Sequence, residues 1–312
     1  MQSFRQCLAQ IGISAATPFS LTGSFATRPA APCSLSSICA AMQSPQPATW
    51  HQPPKTEGHF VEHDWTDLCQ GITSDGNYWF ISSSHPSACG IHKFTADMQY
   101  LNPPCLLNNW PDSPPFGSHP GDPDYYQGNI YVPMQEPHGI VIIETEKFAV
   151  SRYIPVEAGS ADILPWCAIN PWNGYLYTSL FGGDYDVDQI FGFDLSNGQS
   201  KLSLADAVGQ INLQSPIRKV QGGCFSKNGH LLLTSDDTRG IHCYSSLNGF
   251  YFGCAQINVE DSRQEVEGIC IREDIAYNGF ATPIHVILLD EHWDKHDDIY
   301  FKHYTIPGSS NL

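Results

Sequence analysis

The sequence predicts an all-β protein, and more specifically a β-propeller built from five four-stranded blades. Residues 220–257 read as four short strands joined by polar turns, and this order of strands and turns recurs along the chain. The recurrence interval matches the roughly 40–50 residues of a four-stranded propeller blade. The 26 glycines and 23 prolines of the 312-residue chain fit the many turns that such a fold needs.

The clearest blade lies in the second half of the chain. Its strands are predicted in GGCFS, HLLLTS, GIHCYS and FYFGCAQI, and the turns in KNG, DDTR and LNG. Asn228-Gly229 and Asn248-Gly249 indicate tight hairpins, because Asn and Gly tolerate positive φ. A two-residue turn at Asn248-Gly249 would place Cys243 opposite Cys254, within reach of a disulfide. We expect the pair to be either bridged, in an oxidising compartment, or two reduced neighbours.

The other copies show the same order of strands and turns. The five copies begin at positions separated by 51, 46, 54 and 46 residues, namely Gly71, Asp122, Ala168, Gly222 and Gly268. The third copy is expected to run from Trp166 to Leu204. The fifth copy shows three strands only, and we expect Gly58–Trp65 to supply its outer strand and close the ring.

Composition separates the first 56 residues from the rest. They contain no Asp or Glu and are rich in Ser, Thr, Ala and Pro, which predicts a disordered or processed leader before a propeller over 57–312. Such a leader is compatible with secretion or organelle targeting, and otherwise with a soluble cytoplasmic protein. No apolar run approaches the ~18 residues of a membrane-spanning helix. The net charge of −17 argues against nucleic acid and anionic membranes as partners. We expect a monomer.

The two faces of the predicted ring differ in their loops. One face carries short polar turns, whereas the other carries longer loops that hold much of the His, Asp and Trp. Function concentrates on such loops, so we expect the site at that mouth of the central channel. Residues at the start of each inner strand can point into the channel: Gln70, Asp122, Trp166, Gln221 and Glu267. His119 and Asp124 flank Asp122, and the loops add His138 and Asp236.

Three uses of this polar ring remain open. Two carboxylates can divide the roles of acid and base. Carboxylate and amide oxygens can instead hold Ca²⁺, which makes calcium a candidate cofactor. The ring can also simply satisfy strand ends and hold channel water. As an active site, it would use Asp122 and Glu267 as the acid/base pair and His119 as a proton shuttle or orienting group. Trp166 would stack on the substrate, and the remaining polar residues would bind it: Gln70, Gln221, Asp124, His138 and Asp236. Neither carboxylate is expected to be needed for folding.

Other motifs are weaker. Asp290–Asp298 has the composition of a metal cluster, and Gly182–Asp188 resembles a calcium loop without the later Glu of an EF-hand. The chain has no GxSxG, Walker A, HExxH or dinucleotide motif, which argues against a serine hydrolase, a P-loop enzyme and a Rossmann dehydrogenase.

Two segments and one glutamate resemble five-bladed glycoside hydrolases of the arabinanase and xylosidase type. His63–Ser84 resembles their first blade, where the Asp after His is the base, which implies Asp64 here. Cys167–Ser179 resembles a later blade whose Asp tunes the acid, but this chain has Asn170 at that position. The general acid would be Glu267, one blade late. The segment EVEGICI is also similar to an opening motif of phytase-like propellers.

The differences between blades favour one asymmetric central site over five equivalent ones. The sequence therefore favours a hydrolase or lyase with one site at the channel mouth, acting on a small polar or sugar-like substrate. A non-catalytic ligand-binding module and a protein-interaction scaffold remain the alternatives.

Overall fold

A computed structural model describes residues 66–107, 119–135, 137–157, 164–259, 262–272, 276–277, 280–281, 284–290 and 297–304. These residues belong to one compact unit. Within them, no helix has the length and apolar character needed to cross a membrane. The predicted leader over 1–56 and the predicted closing strand at 58–65 lie outside the described residues.

The first two blades each contain an antiparallel meander of four strands. The first blade consists of β1 (Cys69–Ser74), β2 (Tyr78–Ser83), β3 (Gly90–Thr95) and β4 (Tyr100–Leu106). The second blade consists of β5 (Asp124–Tyr126), β6 (Asn129–Met134), β7 (Gly139–Glu144) and β8 (Ala149–Glu157). The innermost strand of each blade comes first in the sequence, as predicted.

The third blade differs from the prediction in its outer strand. Its first three strands are β9 (Ala168–Ile169), β10 (Leu176–Ser179) and β11 (Val187–Phe193). The segment predicted as its fourth strand forms β12 (Leu202–Ser203), which pairs in parallel with β8 of the second blade. The outer position is taken by β13 (Gly209–Ile217), which pairs with β11. Burial explains the exchange, because Leu202 packs between the second and third blades.

The last two blades complete the ring. The fourth contains β14 (Val220–Phe225), β15 (His230–Ser235), β16 (Gly240–Ser245) and β17 (Tyr251–Gln256), close to the predicted bounds. The fifth contains β18 (Gln264–Ile271), β21 (Ile284–Asp290) and β22 (Asp298–Tyr304). A separate hairpin of β19 (Ala276–Tyr277) and β20 (Phe280–Ala281) lies between β18 and β21 in the sequence.

The register of the last hairpin in the fourth blade differs from the prediction. Cys243 lies opposite Gly253, and Cys254 lies opposite His242. The strands are joined by a four-residue loop closed by Ser245 and Phe250 instead of a two-residue turn, and a bulge shifts the register again. The predicted Cys243–Cys254 pairing is therefore wrong, since successive residues of a strand point to opposite faces. Both cysteines are free thiols.

Five apolar clusters hold the described blades together, one at each junction between neighbours. Each cluster combines side chains from two adjacent blades, and one of them joins the first blade to the fifth. That cluster contains Trp79 and Ile81 from the first blade and Ile287 and Phe301 from the fifth. Burying one such side chain contributes about 1.5–3 kcal/mol, so this packing holds the first blade against the fifth.

A single carboxylate lies where the inner strands converge. Asp122 is fully buried, and its Oδ1 accepts a hydrogen bond from the amide of Ile72 at 2.9 Å. Its Oδ2 accepts bonds from the amides of Gly223 and Ile269, each at 3.1 Å. These amides belong to the first, fourth and fifth blades. Backbone bonds from Asp122 N–H to the carbonyl of Pro165, and from Cys167 N–H to the carbonyl of Asp122, join the third blade.

Three glycines allow the inner strands to approach this carboxylate. A Cβ atom on Gly268 would lie 2.1 Å from Oδ1 of Asp122, and one on Gly71 would lie 2.3 Å from its Cα. A Cβ atom on Gly222 would lie 2.7 Å from Oδ2 of Asp122 and 2.8 Å from the Cα of Gly268. We call Asp122, Gly71, Gly222 and Gly268 the axial cluster. It closes the channel partway along its length.

Gly268→Ala is expected to destabilise the protein, because the new methyl group would overlap Asp122 and Gly71. Overpacking of a closed core costs about 1–3 kcal/mol of unfolding free energy, occasionally more. Denaturant titration measures this loss. The matched control is Gly183→Ala, whose new Cβ would meet nothing closer than 3.6 Å. Equal unfolding free energies for the two variants would contradict the close packing of the axial cluster.

Candidate active site at the channel mouth

Three inner strands carry a bulge at the same place. The pairing register shifts between Cys69 and Gly71, between Val220 and Gly222, and between Val266 and Ile269. The residues within these bulges that line the channel mouth are Gln70, Gln221 and Glu267. A bulge inserts an unpaired residue and redirects its side chain, and bulges are frequent beside active sites. Each of these side chains directly precedes a glycine of the axial cluster in the sequence.

The redirected side chains line a cavity of about 240 Å³. We call it the mouth cavity. It is lined by Leu68, Gln70, His119, Gln135, Phe181, Gln221, Glu265, Glu267 and Leu289. All five blades or their connections contribute to this lining. The structure thus brings together Gln70, His119, Gln221 and Glu267, which the sequence predicted at this mouth.

Glu267 is held in the wall of the cavity. Glu267 is only 1% exposed to solvent, and its Oε1 accepts a hydrogen bond from the side-chain amide of Gln221 at 3.4 Å. Its carbonyl accepts a hydrogen bond from the Thr234 hydroxyl at 2.7 Å, which ties it to the fourth blade. A carboxylate this deep in a polar cavity has its position set by two neighbouring blades.

His119 is positioned through the second blade. The Gln135 amide donates to the His119 carbonyl at 2.9 Å, and the Gly121 amide donates to the Pro133 carbonyl at 2.8 Å. These bonds pin the segment just before Asp122 against β6. Imidazole and carboxylate side chains are the commonest groups for proton transfer in enzymes. The mouth cavity contains one imidazole and two carboxylates, those of Glu265 and Glu267.

The structure corrects the expected position of Asp122. It lies within the axial cluster and not at the mouth, and its two oxygens accept three amide bonds. Burial raises the pKa of Asp122 well above its ordinary value, although the three amides act in the opposite direction. The nearby charge of Asp124 raises it further. A carboxylate enclosed in this way positions strands, and Glu265 is the second carboxylate that the mouth contains instead.

Trp166 also lies away from the mouth. It is fully buried, its indole N–H donates to the Ser179 hydroxyl at 2.8 Å, and its ring lies against Gly223. Such a ring has no face to offer to a substrate, so the predicted stacking role does not fit this position. Phe181 is the aromatic residue that lines the mouth cavity.

The remaining predicted binding residues are dispersed. Asp124 lies at the opposite end of the channel. Asp236 links the fourth and fifth blades, since it accepts the Val266 amide at 3.1 Å and pairs with Arg239 at 2.6 Å. His138 is outside the mouth lining, and its carbonyl accepts the Tyr153 hydroxyl at 3.0 Å. None of these three side chains lines the mouth cavity.

The roles implied by the glycoside hydrolase resemblance do not come together. Asn170 lies in the turn after β9, where its side chain accepts the Trp172 amide at 2.9 Å, and this turn is on the face opposite the mouth. Asp64 lies outside the described residues. In the two candidate metal loops, Asp186 pairs with Arg218 at 2.5 Å and Asp290 pairs with Arg263 at 3.7 Å, and residues 291–296 of the second loop lie outside the described residues. Among the described residues no group of three His, Cys, Asp or Glu could hold a metal ion.

Comparison with known proteins finds solved structures of low similarity to this chain. No family model matches the chain, and no curated protein matches it. Glutaminyl cyclase from Myxococcus xanthus is 10% identical with a TM-score of 0.49, over 79% of this chain and 95% of that one. A streptogramin B lyase is 10% identical with a TM-score of 0.42, over 80% and 74%. Virginiamycin B lyase from Staphylococcus aureus is 10% identical with a TM-score of 0.42, over 78% and 87%. Likeness at this level assigns no reaction to this chain.

Asp122→Asn is expected to lower the unfolding free energy. An amide offers one oxygen in place of two, so at least one of the three strand amides would face an NH₂ group and lose its acceptor. Leaving a buried donor unsatisfied costs about 1–3 kcal/mol. Thermal and denaturant unfolding measure the loss, and the control is Asp188→Asn, at an exposed aspartate. Unchanged stability in Asp122→Asn would contradict the structural role of this carboxylate.

Proposed function

We propose that this protein is an enzyme whose single active site is the mouth cavity, where Glu267 and His119 perform acid/base chemistry on a small polar substrate. The observation that carries the proposal is the enclosed Glu267 carboxylate in a cavity that also contains an imidazole and a second carboxylate. Buried ionisable groups that line a cleft are frequent in catalytic sites. Hydrolysis and elimination are the reaction classes that such groups serve.

The proposed roles follow from the positions of the side chains. Glu267 transfers the proton at the reacting bond, because it is the deepest carboxylate in the cavity wall and Gln221 orients it. His119 is the partner that accepts or returns the proton. Glu265 is the second carboxylate, and Gln70, Gln135 and Gln221 supply amide donors and acceptors that hold hydroxyl or carbonyl groups of the substrate. Phe181 and Leu289 provide the apolar part of the wall.

The size of the cavity limits the substrate. Its volume of about 240 Å³ is below the roughly 300–1,000 Å³ typical of ligand pockets. A cavity of this size suits a small molecule. The three amides and two carboxylates favour a substrate rich in hydroxyl, carbonyl or amide groups, such as a monosaccharide derivative.

Glu267→Gln tests the proposal, since it keeps the shape of the side chain and removes its proton-transfer capacity. Wild type is first screened for product release from small glycosides, esters and amides. The variant should then lose roughly 10²–10⁴-fold in rate on the best substrate, with an unchanged melting temperature. The control is Glu146→Gln, at an exposed glutamate in the turn after β7. Calorimetric binding of the same compounds without any turnover would instead establish a ligand-binding module.

Calcium provides a second test. The oxygens of the mouth cavity are of the type that Ca²⁺ prefers, but acid/base catalysis by Glu267 needs that carboxylate free of a resident cation. We therefore expect equal melting temperatures with calcium and with a chelator. A bound cation would stabilise the folded state by about 2.7 kcal/mol at 100 times its dissociation constant. A calcium-dependent rise in melting temperature that Glu267→Gln abolishes would favour a structural metal site over the catalytic one.

A further inference from the structure

The channel has a second cavity at its other end. It measures about 370 Å³, and residues from all five inner strands line it: Thr73, Asp124, Ile169, Phe225 and Ile271. We call it the far cavity. In the first, fourth and fifth blades, the residue that lines the mouth cavity precedes the glycine of the axial cluster in the sequence. The residue that lines the far cavity follows that glycine. The axial cluster therefore separates the two cavities.

Asp124 presents a fixed carboxylate to the far cavity. Its Oδ2 accepts the Ile169 amide at 2.7 Å, and its Oδ1 accepts the Tyr125 amide at 2.9 Å. Each carboxylate oxygen can accept about two hydrogen bonds, so each retains acceptor capacity toward a ligand. The Tyr125 amide is also shared with the Thr73 hydroxyl at 3.0 Å, which fixes the strand that carries Asp124. The carboxylate is thus oriented before any ligand arrives.

The walls around this carboxylate are largely aromatic and aliphatic. Tyr125, Tyr126 and Phe225 line the cavity together with Ile169. An anionic group in a cavity lined by aromatic residues suits an organic ammonium ion, because the nitrogen pairs with the carboxylate and aromatic faces attract the cation. A metal ion fits less well, since no group of His, Cys, Asp and Glu among the residues that the structure describes is arranged to hold one.

We propose that the far cavity binds a small organic ammonium ion, whose nitrogen hydrogen-bonds to Asp124 and whose apolar body packs against Tyr126 and Phe225. Its volume lies within the usual range for small-molecule pockets. Lys227 is the positively charged residue of the lining and is exposed at the rim, where its charge weakens the binding of a cation. This proposal does not depend on the function proposed for the mouth cavity.

Binding should depend on pH around neutrality. Burial raises the pKa of Asp124 to about 7, and the amides of Ile169 and Tyr125 only partly offset this effect. Only the ionised carboxylate attracts an ammonium ion, so the affinity should rise as the pH increases from 6 to 8. The other titratable groups of the surroundings are Asp122, Cys167, Cys224, Cys270, Tyr125, Tyr126, Tyr131 and Lys227. Burial raises the pKa of Asp122 and of the three thiols well above their ordinary values.

Titration calorimetry with three probes of one shape tests the charge preference. The probes are benzylammonium, benzyl alcohol and benzoate, each titrated into the full chain at pH 8. We expect benzylammonium to bind roughly 10–100-fold more tightly than benzyl alcohol, the usual worth of a hydrogen bond to a charged group. Benzoate should bind no more tightly than the alcohol. Absence of benzylammonium binding, or equal binding of all three probes, would overturn the proposal.

Variants then locate the binding site. Asp124→Asn should abolish the preference for benzylammonium over benzyl alcohol, and Lys227→Gln should strengthen benzylammonium binding several-fold. Glu267→Gln and Asp188→Asn should leave benzylammonium binding unchanged. Loss of binding in Glu267→Gln with retention in Asp124→Asn would assign the probe to the mouth cavity and refute the proposal. If Asp124→Asn does not fold, two other measurements decide: the benzylammonium affinity of Lys227→Gln and the increase in wild-type affinity between pH 6 and pH 8. The proposal is overturned if neither affinity increases.

Discussion

The convergence of strand amides on the Asp122 carboxylate is the interaction on which the rest of the ring depends. Placing a carboxylate in a fully buried position is costly unless hydrogen bonds compensate for the lost water. Here three amides from three blades provide that compensation, and backbone bonds attach the carboxylate to the third blade. Because Asp122 belongs to the second blade and bonds to the other four, the mouth residues just before its glycine neighbours have defined positions.

The sequence predicts most of this fold because each blade is a local unit. In the fourth blade, short strand-like segments joined by polar turns predict two strands, His230–Ser235 and Gly240–Ser245, with the bounds that they have in the structure. The exchange of β12 and β13 is different, since it is decided by packing between blades. The alternation of buried residues in Gly209–Ile217 is a visible signal for a strand, but nothing local shows that Leu202 joins the second blade.

The site is predictable only where the blades repeat. Gln70-Gly71, Gln221-Gly222 and Glu267-Gly268 share a polar residue followed by glycine, and the three polar residues occupy equivalent places. The second and third blades lack this pattern. Aligning the predicted starts of their inner strands with those of the other blades places Asp122 and Trp166 at the mouth, whereas in the structure both residues lie deeper. The same three glycines are a signal that the inner strands approach closely. Gln135, Phe181 and Glu265 come from neighbouring positions that no repeat singles out.

The axial cluster also determines how the two ends of the channel can influence each other. Its packed glycines leave no room for a substrate to pass, so any coupling between the cavities must be electrostatic or mechanical. The charge of Asp124 already raises the pKa of Asp122, whose carboxylate holds the strands that carry the mouth residues. A cation paired with Asp124 would reduce that repulsion and strengthen the ionised form of Asp122, together with its three amide bonds. Any influence of a ligand in the far cavity on Gln70, Gln221 and Glu267 would have to pass through Asp122 and its three amide bonds, because the two cavities share no lining residue.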